Sequence, residues 1–213
     1  MQIKLQQVAP TFIEQEKITR SQIWNKDVVF SKAEKIQIVA PSGSGKTSLV
    51  HFLYGLRKDY SGNIAYDDKS IMGFDAENFS VYRRQHFSVV FQDLRLFGEQ
   101  TVSQNLEVKR ELAPYHNSSK ITEMTTRLGI GNKLNKLCKT CSYGEQQRIA
   151  IIRALQQPFD FLLLDEPFSH LDENNRKIAM QLIEEEADTR KATIILADLK
   201  PIEYFNAGVT LHL

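Results

Sequence analysis

A short run rich in glycine and serine, from Ala40 to Thr47, ends in a lysine and a threonine. Gly43 and Gly45 permit the backbone to turn so that successive N–H groups point inward, and a helix beginning near Lys46 adds its positive end. Lys46 supplies a mobile charge for the β- and γ-phosphates, and Thr47 supplies a hydroxyl for Mg²⁺. The run predicts a site for ATP and Mg²⁺ that comprises Ser42, Gly43, Ser44, Gly45, Lys46, Thr47 and Ser48.

The usual form of such a phosphate loop is G-x-x-x-x-G-K-[ST], and Ala40 stands at its first glycine. That position mainly needs a tight turn at the end of a strand, so alanine is a mild departure. The alternative is a Gly/Ser-rich turn that ends in Gly-Lys-Thr by chance. A strand before the run, a helix after it and an acidic strand downstream all favour the phosphate loop.

The acidic strand is the apolar run Phe161–Leu164, which is followed by Asp165 and Glu166. Asp165 at the end of the strand is placed to hold Mg²⁺, directly or through water. Glu166 is placed to polarise a water molecule for attack on the γ-phosphate. Turns often collect acidic residues, so the pair alone is weak; together with the phosphate loop it predicts hydrolysis of ATP.

Strand-like and helix-like runs alternate at both ends of the chain, which predicts an α/β fold with a mostly parallel sheet flanked by helices. An antiparallel β region is expected at the N-terminus. Predicted strands are Ile3–Val8, Asp27–Phe30, Lys35–Val39, Asn63–Tyr66, Phe87–Phe91, Phe161–Leu164, Thr193–Leu196 and Val209–Leu213, and predicted helices are Lys46–Leu56 and Glu173–Thr189.

The middle of the chain, from about Thr101 to Gln157, is mostly helical in pattern, with breaks near Pro114 and Gly129–Gly131. We therefore expect one domain, 1–213, with a core lobe of about 1–92 and 158–213. An inserted α-helical subdomain would occupy about 93–157.

Composition narrows the functional classes. Lys and Arg number 27 against 26 Asp and Glu, a balance that does not favour a nucleic-acid partner. The longest apolar runs are far shorter than a membrane span, and the first residues form an alternating strand rather than a signal peptide. We expect a cytoplasmic protein that reaches any membrane through a partner.

The two cysteines, Cys138 and Cys141, are spaced C-x-x-C. A zinc site would need two further ligands, and the nearest histidine, His116, is far from the spacing of a metal finger. Two reduced cysteines in a helical region are favoured over a redox or metal site.

The segment Cys141 to Arg148 resembles the L-S-G-G-Q-Q-Q-R signature of ATP-binding-cassette (ABC) ATPases, and the resemblance extends over essentially the whole chain. Ser142 and Gly144 would begin a helix whose end, in the family, contacts the γ-phosphate bound by an opposite subunit. The resemblance therefore implies ATP held between two cassettes, with a homodimer expected. A helix with an N-cap serine and an early glutamate explains the same residues locally.

Other segments resemble further motifs of the family. Val89 to Asp93 is similar to the Q-loop, in which Gln92 would reach Mg²⁺ and the attacking water. Ser169 to Asp172 is similar to the D-loop, with His170 at its variable position and no chemistry assigned to it. Phe12 falls where the family places an aromatic ring on adenine, although its distance from Lys46 is a few residues long and a core position is the alternative.

Arg83 to Phe97 and Thr101 to Asn105 resemble the cassettes of cell-division and lipoprotein-release transporters. These pair with permeases that have large extracytoplasmic domains, so a transmembrane permease is the implied partner, on the cytoplasmic face of the membrane. The stretch after Gln92 is where the family meets its permease. Candidate apolar contacts there are Leu94, Leu96 and Phe97, each of which could instead be a core residue.

Two departures from the family pattern lie in the signature. Tyr143 replaces its first glycine and adds bulk, and Glu145 replaces its first glutamine. A negative charge there weakens attraction for a phosphate unless Glu145 points away. We expect both replacements to adjust the contact with ATP rather than to abolish activity.

The third departure is at the strand after the acidic one, where the family has V-T-H-D. This chain has Thr193 to Lys200 without a histidine, and either Leu199 or Asp198 takes the position. In the family the absent histidine side chain contacts the γ-phosphate. Its loss therefore predicts that the rate of hydrolysis is lower by about 10²–10³-fold, while ATP binding stays intact.

Two functions remain open. The first is the ATP-hydrolysing subunit of an ABC transporter, and the second is an ATP-gated dimerisation switch that signals through a membrane partner. Glu166 favours the first, and the absent histidine favours the second. A cytosolic ABC protein of DNA repair or translation is weaker, because those carry a coiled-coil insert or two cassettes in one chain.

Overall fold

The computed structural model describes residues 1–213 as two β-sheets with seven α-helices. The strands are β1 (Ile3–Pro10), β2 (Asp27–Phe30), β3 (Lys35–Val39), β4 (Tyr60–Tyr66), β5 (Lys69–Ser70), β6 (Phe87–Val90), β7 (Phe161–Asp165), β8 (Thr193–Asp198) and β9 (Val209–His212). The helices are α1 (Gln15–Arg20), α2 (Lys46–Leu53), α3 (Ala76–Gln85), α4 (Val102–Leu112), α5 (Ser118–Arg127), α6 (Tyr143–Ala154) and α7 (Glu173–Arg190).

The N-terminal sheet is antiparallel, in the order β2-β1-β4-β5, and the main sheet is parallel, in the order β6-β7-β8-β3-β9. The predicted fold class is confirmed. In a parallel sheet all carboxyl ends lie at one edge, which is where such folds bind ligands. Because β7, β8 and β3 are neighbours, Asp165, Asp198 and the start of the phosphate loop meet at that edge.

Strand β7 is buried on both faces, as expected for the interior of a covered parallel sheet. Leu162 and Leu164 pack in the core formed with α4 to α7. Phe161 and Leu163 pack on the opposite side, in the core shared by α2 and the antiparallel sheet. The main sheet thus has α2 and the antiparallel sheet on one side and α4 to α7 on the other.

Helices α1 and α3 were not predicted from the sequence. Helix α1 buries only Ile18 and α3 buries only Phe79, so neither has the repeating apolar face that marks a helix in a sequence. The predicted end of α2 at Leu56 was wrong, because the helix stops at Leu53. Gly55 follows in the left-handed conformation, with φ of 70°, which is a common way to end a helix.

Between β6 and β7 the chain forms α4, α5 and α6, separated by a long break after α5. Both cysteines lie in this mostly helical part of the chain, as predicted, with Cys138 in a 3₁₀ turn and Cys141 in the loop before α6. Both are free and buried, and burial raises the pKa of the Cys138 thiol to about 11. No helix has the length and apolar character needed to cross a membrane.

A buried ionic cluster joins the start of α5 to α7. The Glu186 carboxylate contacts His116 Nε2 at 2.6 Å and the Arg190 guanidinium, and Lys120 Nζ lies 3.5 Å away. Arg190 also donates to the Leu155 carbonyl at 2.9 Å. Glu186 and Arg190 are almost fully buried, so each neutralises a charge that water cannot reach.

Replacing Glu186 by Gln should lower the free energy of unfolding by about 3 kcal/mol, because the buried Arg190 guanidinium loses its carboxylate. Urea unfolding at pH 7 measures this loss. Glu185→Gln is the matched control: Glu185 is half-exposed and pairs with Arg127, so its loss should cost below about 1 kcal/mol. Equal losses in both variants would contradict a special role for the buried cluster.

The same cluster gives stability an acid dependence. Burial lowers the pKa of His116 below its ordinary 6.5, against the opposing contact with Glu186. Burial raises the pKa of Glu186, but the Arg190 hydrogen bond and charge outweigh it and leave the pKa below its ordinary 4.5. In both cases the unfolded chain binds protons more readily, so the cluster's contribution falls as pH drops below 6.5 and falls further below 4.5.

Candidate nucleotide site

The phosphate loop connects β3 to α2 and lies against two apolar side chains, those of Trp24 and Ile13. The Trp24 indole N–H donates to the Ser44 carbonyl at 3.1 Å. Gly45 has φ of 99°, and a Cβ atom there would lie 2.7 Å from Ile13 Cδ1 and 3.1 Å from the Trp24 ring. Only glycine fits this position. Trp24 and Ile13 were missed in the sequence, because a lone apolar residue outside a motif carries no sign of such a role.

Lys46 opens α2 with a nearly buried side chain. Its Nζ atom donates to the Ala40 carbonyl at 3.0 Å and lies 3.2 Å from Glu166 Oε1. The Glu166 carboxylate thus neutralises the lysine that is predicted to hold phosphate. A phosphate at Lys46 would take over this contact and leave the Glu166 side chain free to face another partner.

Asp165 ends β7 beside Thr47, and its side chain is buried. Neither carboxyl oxygen has a hydrogen-bond donor, and burial raises the pKa of Asp165 to about 6. The Thr47 hydroxyl also lies 3.4 Å from Gln92 Oε1. A buried carboxylate without a donor, beside a hydroxyl and an amide oxygen, is a donor set that suits Mg²⁺. These three residues therefore fit the predicted metal.

Glu166 has a left-handed backbone with φ of 47°, which is unusual for a residue with a side chain. Its N–H donates to the Ala197 carbonyl at 2.9 Å, and its own carbonyl accepts from Gln147 Nε2 at 3.3 Å. Gln147 is buried in α6. The helix that carries most of the signature therefore fixes the backbone of the predicted water-polarising residue.

The loop after β6 carries Gln92 and turns through two residues in the left-handed conformation, Leu94 and Arg95. Arg153 of α6 fixes both by donating to their carbonyl groups at 2.7 and 2.8 Å. The sequence did not reveal Arg153, because its contacts depend on a loop shape that no pattern predicts.

Ser142 caps α6 as the sequence predicted. Its hydroxyl accepts from the Glu145 N–H at 3.3 Å, and the Glu145 carboxylate accepts from the Ser142 N–H at 2.8 Å. Glu145 also lies 3.1 Å from Lys133 Nζ, so its charge is neutralised within the chain. Gly144 packs on the loop after β7, where a Cβ atom would lie 2.9 Å from the His170 carbonyl oxygen.

Strand β8 extends two residues beyond the predicted Leu196, which places Asp198 at its end. Leu199 lies beyond the strand, with 45% of its surface exposed. Burial raises the pKa of Asp198, and the charge of Glu166 raises it further. Asp198 and Glu166 share a cavity of about 830 Å³ that continues along the loop after β7.

A second cavity of about 440 Å³ lies over the phosphate loop, within the size range of small-molecule sites. Phe12 forms part of its wall, together with Lys46, Thr47, Gln92 and Glu166. Phe12 is 51% exposed, so the alternative that it is a core residue was wrong. The Arg57 guanidinium lies 4.7 Å from the centre of the Phe12 ring and supports it from one side.

Phe12→Ala should weaken ATP binding about tenfold, because base–aromatic stacking contributes about 1–3 kcal/mol. Equilibrium titration with ATP measures the change. Phe97→Ala is a matched control, since Phe97 is 53% exposed and does not border this cavity. Undiminished affinity in Phe12→Ala would contradict the predicted stacking on adenine.

Comparison with known proteins shows the family to which the chain belongs. A family model described as ABC transporter matches residues 25–169, which is more than half of the chain. The chain belongs to the ABC ATPase family. The family binds ATP, and the resemblance drawn from the signature and the phosphate loop is confirmed.

Relatives of this ABC chain include both export and import proteins. The lipoprotein-releasing system ATP-binding protein LolD of Syntrophotalea carbinolica is 32% identical over 80% of this chain and 76% of its own length. The macrolide export ATP-binding/permease protein MacB of Shewanella sp. (strain W3-18-1) is 32% identical over 84% of this chain. The chain spans 29% of MacB's length. The thiamine import ATP-binding protein ThiQ of Vibrio cholerae is 30% identical over 80% of this chain and 70% of its own length.

Solved cassettes share the fold of this ABC chain. The dimeric structure of MJ0796, a bacterial ABC transporter cassette, superposes with a TM-score of 0.80 at 24% identity, over 99% of this chain and 94% of the other. A post-hydrolysis state of the same cassette, dimeric and bound to ADP and Pi, gives a TM-score of 0.84 at 23% identity over the same shares.

Proposed function

We propose that this chain is the ATP-binding subunit of an ABC transporter, which binds and slowly hydrolyses ATP between two cassettes to drive a separate permease. The observation that carries the proposal is the convergence of Lys46, Thr47, Gln92 and Glu166 on one cavity with Phe12 in its wall. LolD and ThiQ are named as ATP-binding proteins of transport systems, which supports the same role here.

In this proposal the phosphates lie on the N–H groups of the loop and on Lys46. Thr47, Asp165 and Gln92 would hold Mg²⁺, which would neutralise part of the phosphate charge. Phosphate replaces Glu166 at Lys46, and the released carboxylate orients a water molecule and accepts its proton. Ser142 and Gly144 of a second copy close the site, because a capped helix N-terminus favours an anion.

Slow hydrolysis follows from the end of β8. A histidine there would donate a hydrogen bond to the γ-phosphate, whereas an ionised Asp198 carboxylate repels it. Glu166 is unaffected by this loss, so the chemistry is slowed rather than abolished. Asp198 and Glu166 border the same cavity, which supports the closeness of Asp198 to the reacting phosphate.

Phe97 is the contact that we propose for the permease. It is 53% exposed in the segment after the Gln92 loop. Leu96 packs partly against the core, and Leu94 is buried in it. Of the two alternatives for Leu94, a permease contact or a core residue, the structure supports the core residue.

Capture of the tagged chain from detergent-solubilised membranes tests the proposal. A permease should co-purify at a fixed ratio, and Phe97→Asp should reduce its yield while ATP binding stays unchanged. Recovery of the chain without any membrane protein would contradict the transporter role.

The second candidate function is an ATP-gated switch, in which dimerisation alone signals to the membrane partner. Asp198 at the end of β8 favours it, because a cassette that closes on ATP and opens slowly is suited to signalling. The two functions differ in whether cells need the chain to hydrolyse ATP: a transporter subunit needs hydrolysis, and a switch does not.

A further inference from the structure

Tyr143 replaces a glycine of the signature, and the proposed function gives it no part. It is the first residue of α6, and 44% of its surface is exposed. Its hydroxyl donates to the Gln92 carbonyl at 3.3 Å. A tyrosine at the start of one helix therefore holds the backbone of a loop that lies 51 residues earlier in the sequence.

The Tyr143 ring has a second partner in the loop after β7. Its centre lies 4.2 Å from that of the His170 ring, with the rings tilted by 55°. His170 is itself fixed, because its N–H donates to Gln147 Oε1 at 3.0 Å and its Nδ1 lies 2.9 Å from the Ser169 hydroxyl. Gln147 also donates to the Glu166 carbonyl. The side chain of Gln147 therefore connects His170, on which the Tyr143 ring packs, to the backbone of Glu166.

The other end of this connection is the predicted Mg²⁺ site. The Gln92 side-chain oxygen lies 3.4 Å from the Thr47 hydroxyl. Tyr143, Gln92 and Thr47 border one cavity of about 330 Å³. A shift of the Gln92 backbone would therefore move its side-chain oxygen relative to Thr47.

We propose that Tyr143 is a positioning residue: its hydroxyl fixes the Gln92 carbonyl while its ring rests on His170, so that the Gln92 side chain is held at the Mg²⁺ site. The inference rests on the proposed function, since it assumes that Thr47 and Gln92 hold the metal that accompanies ATP. It assigns a role to a side chain that a signature glycine could not perform.

The test is the gain in ATP affinity that Mg²⁺ confers, measured by equilibrium titration of the full chain with Mg²⁺ or with EDTA. Tyr143→Phe removes the hydroxyl and keeps the ring. We expect the Mg²⁺-dependent gain to fall about fivefold, the size expected for one neutral hydrogen bond, with affinity in EDTA within about twofold of wild type. Tyr115→Phe, at a tyrosine that is 41% exposed and outside this cavity, should leave both affinities unchanged.

His170→Ala removes the support of the ring and should reduce the gain in the same direction. An unchanged gain in Tyr143→Phe, with wild type binding ATP normally, would overturn the inference alone. An equal loss in EDTA and in Mg²⁺ would also overturn it, because the hydroxyl would then serve the fold rather than the metal site. Failure of wild type to bind ATP would overturn the proposed function itself.

Discussion

Asp198→His should raise the ATP turnover of the purified chain by about 10²–10³-fold, because it replaces a repelling carboxylate by a hydrogen-bond donor at the γ-phosphate. The substituted residue ends β8, one strand away from Asp165 and Glu166. Its backbone is already fixed, since its carbonyl accepts from the Ala40 N–H at 3.0 Å. Release of phosphate at saturating ATP measures the change.

Asp198→Asn separates the two parts of this effect. It removes the negative charge without adding an imidazole, so its turnover should lie between those of wild type and Asp198→His. ATP affinity should not fall in either variant, because Lys46 and the loop N–H groups are untouched and the carboxylate that repels the γ-phosphate is gone. Turnover in Asp198→His that stays at the wild-type value would show that the end of β8 does not limit hydrolysis.

Glu166→Gln should lower turnover by about 10²–10⁴-fold, the range attributed to one general base. The amide keeps the size of the carboxylate but cannot accept the proton of the attacking water. Loss of the contact with Lys46 should not weaken ATP binding, because phosphate replaces that contact. Single-turnover phosphate release and equilibrium titration report the two quantities separately.

Glu173→Gln is the control, since Glu173 is an exposed glutamate that pairs with Lys177 and borders the larger cavity. The same two variants distinguish the candidate functions in cells that depend on the chain. A transporter subunit requires turnover and should fail with Glu166→Gln, whereas an ATP-gated switch should keep signalling. Full turnover in purified Glu166→Gln would contradict the assignment of Glu166.

The residues proposed to contact phosphate and Mg²⁺ were easier to predict from the sequence than the residues that hold them in place. Lys46, Thr47, Asp165 and Glu166 could be proposed from the sequence because phosphate and Mg²⁺ demand particular groups at particular spacing. Their positions also followed from parallel strands, whose carboxyl ends meet at one edge. Local rules were equally sufficient for Ser142, since a capping box needs only residues three apart.

The residues that hold these groups in place depend on tertiary contacts. Trp24 reaches the phosphate loop from 20 residues away, and Arg153 reaches the Gln92 loop from 58 or more. Tyr143 looked only like a bulky replacement until its partners Gln92 and His170 were known. The end of β8 was predicted two residues too early, because a continuous apolar run does not show where its pairing stops.

The mass of the chain in solution with ATP is the most direct test of the two-cassette site. Light scattering on Glu166→Gln should give 24.5 kDa without nucleotide and twice that mass with ATP, and the dimer should persist because the nucleotide is not cleaved. Lys46→Ala, which loses the phosphate contact, should remain at 24.5 kDa throughout. Saturating binding of ATP to Glu166→Gln without any increase in mass would contradict an ATP site completed by Ser142 and Gly144 of a second copy.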